Sequence, residues 1–114
     1  MIEVKYGQIP NEIFNNYLKY LVGKLFKVLP MKEQEVSSLN TYLRSLQIEL
    51  IGSTELIGML KYDAEFLSLM NTIQFLIENN FDNATCKREV FRCISILKNL
   101  QIKYFSLDGD EDGC

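Results

Sequence analysis

The chain of 114 residues contains no histidine, and this absence excludes more than any other. Histidine is the commonest general base, the usual partner of Ser and Cys nucleophiles, and the usual nitrogen ligand of metals. A metal site built only from carboxylates would need Asp or Glu on the apolar faces of several helices, and the apolar stripes described below carry none. The sequence therefore predicts a protein that is not an enzyme and has no cofactor and no metal.

Cysteines and long apolar runs are also scarce. Cys86 and Cys93 lie on one predicted helix about 10 Å apart, which exceeds the reach of a disulfide, about 7 Å. Reduced thiols are expected, with a redox pair that involves Cys114 as the alternative. No apolar run approaches the roughly 18 residues of a membrane-spanning helix, and Glu3 and Lys5 interrupt the N-terminus where a signal peptide would be apolar. We therefore expect a cytoplasmic protein that does not bind membranes.

The C-terminal end carries the negative charge of this small acidic protein. The net charge is -3, and residues 106–114 contain acidic side chains but no basic one. We interpret this segment as a frayed, solvated acidic tail. Asp108, Asp110 and Asp112, followed by Gly113, match the opening of a calcium-binding loop, but no Glu follows at the closing position. Loose binding of divalent cations by the tail is therefore the lesser alternative.

The strongest pattern in the sequence lies between Ala84 and Phe105, where apolar residues recur at steps of three and four. This spacing forms one apolar stripe along a helix. The stripe consists of Cys86, Val90, Cys93, Leu97, Leu100 and Tyr104. A face this broad must be covered by other helices, and Asp82 or Asn83 can cap its first turn.

Three further segments have helical periodicity. Pro30 is expected to stop the first helix, and Gly52 is expected to stop the second. The start of the second helix stays open, because Ser37 or Ser38 could cap a later beginning. The third helix has either a kink or a new cap near Asp63. The predicted helices span residues 10–29, 33–51, 54–79 and 84–105.

These helices are joined by short connections, which favour antiparallel neighbours. We therefore predict an all-α fold, a single-domain antiparallel four-helix bundle of residues 1–105 followed by the tail. Ile2, Val4 and Tyr6 alternate with charged residues and could form a short N-terminal strand. Ile102 and Tyr104 alternate similarly, so the two termini could pair, but continuation of the last helix is favoured.

Three aromatic residues are predicted to point away from the core. Phe75 follows Phe66 by nine positions, which places it about 180° from the apolar stripe of its helix. Phe91 and Tyr20 are each displaced by about 120° from their own stripes. All three are candidate anchors for a protein partner. The alternative is that a change of helical phase near Asp63 buries the third helix on two sides.

Basic residues on the last helix suggest a second interface. They could contact phosphates of a nucleic acid, although a solvated basic face is the favoured explanation. The candidates are Lys87, Arg88, Arg92, Lys98 and Lys103. The leading hypothesis is a non-catalytic helical protein–protein interaction module: an adaptor, a small inhibitor or immunity-type protein, or a homodimer. The alternative is a nucleic-acid-binding protein that uses the basic last helix.

Overall fold

The computed structural model describes the backbone of residues 2–112 and the side chains of residues 2–104. The fold is mostly helical, at 79% helix, with a short two-stranded sheet. In chain order the elements are β1 (Ile2–Val4), β2 (Gly7–Ile9), α1 (Asn11–Phe26), α2 (Val28–Glu33), α3 (Leu39–Leu56), α4 (Gly58–Lys61), α5 (Ala64–Glu78) and α6 (Asn83–Asp112).

The predicted first helix is divided into α1 and α2, and Pro30 does not stop it. Pro30 lies in the first turn of α2, where a missing N–H group breaks no helical hydrogen bond. Two backbone bonds end α2 instead, from Glu35 to the carbonyl of Lys32 (3.1 Å) and from Val36 to that of Met31 (2.9 Å). Glu35 has a φ of 51°, so the chain reverses its helical sense there.

The second predicted helix begins later and ends later than expected. α3 starts at Leu39, after Ser38, and continues through Gly52 to Leu56. Gly52 does not end the helix because packing continues beyond it: Ser53 is buried, and its hydroxyl is hydrogen-bonded to that of Tyr17 in α1. The later of the two expected starts is therefore the correct one.

The third predicted helix consists of two helices, with a new cap at Asp63. The Asp63 carboxylate accepts a hydrogen bond from the Phe66 N–H, 3.0 Å away, and begins α5. The break changes the helical phase before α5. Tyr62, which lies just before the new cap, is 84% exposed.

The N-terminal strand prediction is right for β1 but misses its partner. Ile2 pairs with Ile9 and Val4 with Gly7 in an antiparallel hairpin. Gly7 has a φ of 150°, a conformation that favours glycine. Tyr6 lies in the turn rather than in the strand. Ile102 and Tyr104 do not pair with β1, since residues 102–104 continue the last helix.

The last helix begins where it was predicted but extends further. Asp82 caps α6 by accepting a hydrogen bond from the Thr85 N–H at 2.7 Å, and the helix runs to Asp112 instead of ending at residue 105. The predicted tail thus begins inside α6. Its side chains, and residues 113 and 114, lie outside the described residues, so its solvation and cation binding stay predictions.

α6 organises the core, as its stripe predicted. Every residue of that stripe is buried, and α6 packs along α1, α2 and α5, while α3 packs against α5. α1 and α3 are joined by polar contacts, including a hydrogen bond of 2.7 Å from the Tyr42 hydroxyl to the Lys24 carbonyl. Among the described helices, none is both long enough and apolar enough to cross a bilayer.

Candidate protein interface

An aromatic pair lies on the surface where α1 meets α6. The rings of Phe26 and Phe91 pack edge to face, with centroids 6.1 Å apart and an interplanar angle of 79°. Phe26 is 43% exposed and Phe91 is 41% exposed. The two rings cover each other in part and still present apolar surface to solvent, which is how an aromatic anchor on a protein surface behaves.

Basic residues lie next to this aromatic pair along the chain. Lys27 follows Phe26, while Lys87 and Arg88 lie one helical turn before Phe91, a spacing that brings side chains to neighbouring positions on a helix. All three are exposed. An apolar centre with a charged rim is the usual arrangement in a protein interface.

Tyr20 belongs to a polar seam between α1 and α3. Its hydroxyl donates to Glu49 Oε1 at 3.3 Å, its ring stacks on that of Tyr17 with centroids 6.0 Å apart, and Lys24 Nζ lies 5.3 Å from its centroid. Hydrogen bonds to Tyr20 and Glu49 raise the pKa of Lys24 despite some burial. Tyr20 is half-exposed, but its polar atom already has a partner.

Phe75 lies at a different seam, between α5 and α6. It is 43% exposed and lines a shallow groove of about 360 Å³ with Ser68, Glu89 and Arg92. Its neighbours therefore differ from those of Phe91 and from those of Tyr20. The three predicted anchors lie at three different helix seams and do not form one continuous site.

Most of the predicted phosphate contacts already pair with carboxylates. Arg88 and Arg92 lie 3.4 and 3.7 Å from oxygens of Glu89, and Lys103 Nζ lies 2.8 Å from Asp63 Oδ2. Two candidates differ. Lys87 and Lys98 form no ion pair within the part of the chain whose side chains are described. The five predicted phosphate contacts therefore do not form one continuous stripe of unpaired basic side chains.

Asp63 is a buried carboxylate held by three donors. Besides the Phe66 N–H, it accepts hydrogen bonds from Lys103 and from the Tyr104 hydroxyl. Burial raises the pKa of Asp63, but the three hydrogen bonds outweigh it and the net pKa is lowered. Burial and the bond to Asp63 raise the pKa of Tyr104. The ionised Asp63 carboxylate therefore joins the start of α5 to Lys103 and Tyr104 of α6.

The thiols of α6 are poorly placed for chemistry. Cys86 and Cys93 are free and buried. Burial raises the pKa of both, that of Cys93 to about 12, and a protonated thiol is a weak nucleophile. Over residues 2–104, no group of three or more His, Cys, Asp or Glu side chains is arranged to hold a metal ion.

Sequence reasoning missed Phe26, the second member of the aromatic pair. The apolar spacing of the first helix groups it with the buried face. A signal was present, because Phe26 follows the buried Leu21 by five positions, about 140° around the helix. What the pattern could not indicate is that α6 would bring Phe91 against it.

Comparisons with known proteins give no relative for this chain: no family model, no curated protein and no solved structure matches it.

Proposed function

We propose that this chain is a non-catalytic helical module that binds another protein through the exposed pair of Phe26 and Phe91. The partner is either a different protein, which would make the chain an adaptor or a small inhibitor or immunity-type protein, or a second copy in a homodimer. The observation that carries the proposal is the pair itself, two large rings that pack on each other and each keep about two-fifths of their surface exposed. Burial of such rings by a partner stabilises the complex, because it removes their apolar surface from water.

Further observations support the remaining parts of the proposal. The neighbours of α6 and α5, together with the polar seam between α1 and α3, support an antiparallel four-helix bundle. The lack of histidine and the raised pKa values of both buried thiols support a role without catalysis. Free cysteines support a reducing compartment such as the cytoplasm.

Nucleic-acid binding through α6 is the alternative, and it has weaker support. Arg88, Arg92 and Lys103 would have to leave carboxylate partners before they could contact phosphates. Phosphate contacts also make affinity fall steeply with salt, whereas a largely apolar interface does not. Salt dependence therefore separates the two functions.

The test compares two variants of α6 with the wild type. Phe91→Ser removes one ring of the pair, and Ile102→Ser removes an apolar side chain that is 66% exposed on the same helix. Sedimentation velocity measures self-association, and capture on the immobilised chain followed by mass spectrometry identifies other partners. We expect Phe91→Ser to abolish dimerisation or capture and Ile102→Ser to retain it. Binding should persist at about 1 M salt, where exposed charges are screened within about 3 Å.

Two results would contradict the proposal. One is a strictly monomeric chain that captures no protein. The other is a complex that contains nucleic acid and dissociates as salt rises. Thermal melts of both variants must accompany the binding data, because an unfolded Phe91→Ser protein would lose capture for a different reason. Phe26→Ser removes the other ring of the pair and is therefore a second, independent test.

A further inference from the structure

A groove of about 760 Å³ runs between the N-terminal hairpin and the junction of α3 with α4. One wall is β1 together with Lys5, the residue that follows it. The other wall includes Leu56, Met59 and Tyr62. Leu56 is 50% exposed and Tyr62 is 84% exposed, so this wall offers apolar surface that no described residue covers.

The outer edge of β1 faces this groove. β2 occupies one edge of β1, and on the other edge the Lys5 N–H donates to the Leu56 carbonyl at 2.8 Å. Backbone groups of alternate residues in a strand point to the same edge. Glu3 is two positions before Lys5, so its N–H and carbonyl point to the groove. Within residues 2–112, no strand pairs with this edge.

The charges of the groove favour a cationic occupant. Glu3 and Glu55 line it, and neither carboxylate forms an ion pair with another residue whose side chain is described. Lys5 also lines it, but its ammonium lies 5.5 Å from the centroid of the Tyr6 ring. The groove is therefore lined by two carboxylates and one ammonium group.

We propose that this groove binds an extended peptide segment of a partner protein, in which Lys or Arg alternates with apolar residues. The segment adds a strand beside Glu3, on the edge of β1 that no described strand occupies. Its backbone pairs with that of Glu3, its apolar side chains lie against Leu56 and Met59, and its basic side chains meet Glu3 and Glu55. Strand addition to an exposed edge is a general mode of peptide recognition. This proposal rests on the proposed role in protein binding and assigns that role a second surface, remote in sequence from the aromatic pair.

The test uses short synthetic peptides labelled with a fluorophore. The first alternates Val with Lys, the second alternates Val with Glu, and the third is the Val–Lys peptide methylated on the backbone nitrogens of one edge. Fluorescence polarisation measures affinity, and amide chemical shifts of Glu3, Lys5 and Leu56 locate the binding. We expect the Val–Lys peptide to bind and to shift these amides, and both the acidic and the methylated peptides to bind about tenfold more weakly or worse.

Two glycine variants provide a matched pair. Gly58 lines the groove, and a Cβ added there meets no atom within 4 Å, so Gly58→Leu adds a large side chain to the groove lining at a position where its first atom has room. Gly23 is equally open but lies on α1, so Gly23→Leu adds the same side chain elsewhere. We expect Gly58→Leu to abolish peptide binding and Gly23→Leu to leave it unchanged, with similar melting temperatures for both.

The proposal is overturned if the Val–Lys peptide does not bind, if the acidic peptide binds as well as the basic one, or if Gly58→Leu has no effect. These results differ from a failure of the proposed function. A chain that fails to bind the peptides but still captures a partner through Phe91 keeps its protein-binding role and loses only this groove. A chain that binds the Val–Lys peptide but loses no capture in Phe91→Ser keeps the groove and loses the aromatic pair.

Discussion

Lys103 and Asp63 form an ion pair across the fold, with Nζ and Oδ2 2.8 Å apart. Lys103 is on α6, and Asp63 is the residue that caps α5. The side chain of Asp63 is 1% exposed and that of Lys103 is 50% exposed. The two partners are therefore not equivalent. If Lys103 is removed, water can replace it as a donor to Asp63. If the Asp63 carboxylate is removed, the Phe66 N–H at the start of α5 and the buried Tyr104 hydroxyl lose their acceptor.

This asymmetry predicts unequal costs for two substitutions. Asp63→Ala should lower the free energy of unfolding by about 2–4 kcal/mol, because it removes a helix cap and the acceptor of two further donors. Lys103→Met should cost only about 1 kcal/mol, since half-exposed pairs contribute little and two donors to Asp63 remain. Urea denaturation of both variants measures the difference. Equal losses would contradict a role for Asp63 beyond the ion pair.

The same cluster predicts how stability depends on acid. The pKa of Asp63 is lowered in the folded protein, so the unfolded chain binds the proton first as pH falls. The stabilisation is complete above the unfolded value, about 3.9, and is lost as pH falls through the folded pKa. Asp63→Asn cannot titrate. We therefore expect the difference in unfolding free energy between wild type and Asp63→Asn to be larger at pH 7 than at pH 3, as measured by urea denaturation.

Alkaline conditions should weaken the same cluster by deprotonating its donors, Lys103 and Tyr104. The hydrogen bond to Asp63 raises the pKa of Lys103, and burial followed by the bond to Asp63 raises that of Tyr104. A group whose pKa is raised by folding contributes its full stabilisation at any pH below its pKa in the unfolded chain, which is about 10 for both residues. That stabilisation is lost as pH rises through the pKa of the folded protein. Melting temperatures measured from pH 8 to pH 11 should fall less in Tyr104→Phe than in the wild type. A parallel decline in the two proteins would contradict this assignment.

The core of α6 predicts a sharp contrast between two positions on one helix. Leu97 is fully buried, and Ile102 is 66% exposed. Leu97→Asp places an unpaired charge in the core and should unfold the protein, whereas Ile102→Asp should change its stability by less than about 0.5 kcal/mol. Far-UV circular dichroism should report a mostly helical wild type and Ile102→Asp variant, and a disordered Leu97→Asp variant. A folded Leu97→Asp protein would show that this stripe is not the centre of the core.

Periodicity predicted the buried faces of the helices better than their ends. The stripe from Cys86 to Tyr104 could be read directly, because every buried position is fixed by the spacing along one helix. The helix ends depend on local hydrogen bonds and backbone conformations, which can override the helix propensity of single residues. Pro30 is harmless within a first turn, and Glu35 takes a left-handed conformation that its residue type does not suggest. β2 was missed because Gly7, Gln8 and Ile9 show no alternation that would indicate a strand.

The candidate site was predictable only in part, for a related reason. The angle around a helix identified Phe91 as displaced from its stripe, and the same arithmetic would have identified Phe26. Their contact depends on which helices are neighbours, and this is a tertiary property that a single amphipathic pattern does not encode. Tyr20 and Phe75 were grouped with Phe91 by angle alone, and the packing of α1, α3, α5 and α6 separates them.

Phe75 offers a comparison with a buried ring on its own helix. Both Phe66 and Phe75 lie on α5, but Phe66 is fully buried and Phe75 is 43% exposed. Phe66→Ser should cost about 3–5 kcal/mol, as expected for truncation of a core aromatic residue. Phe75→Ser should cost only about 1–2 kcal/mol, because much of its apolar surface is in water already. Thermal and urea denaturation measure both values.

The binding behaviour of Phe75→Ser then decides whether this ring is an anchor. If a partner covers the groove beside Glu89 and Arg92, the variant should remain folded and lose capture or self-association, as measured by sedimentation. Phe66→Ser is the control for general destabilisation, because it removes the same type of side chain from the core. A melting loss for Phe75→Ser as large as that for Phe66→Ser would mean that Phe75 supports the packing of α5 on α6 and is not a binding residue.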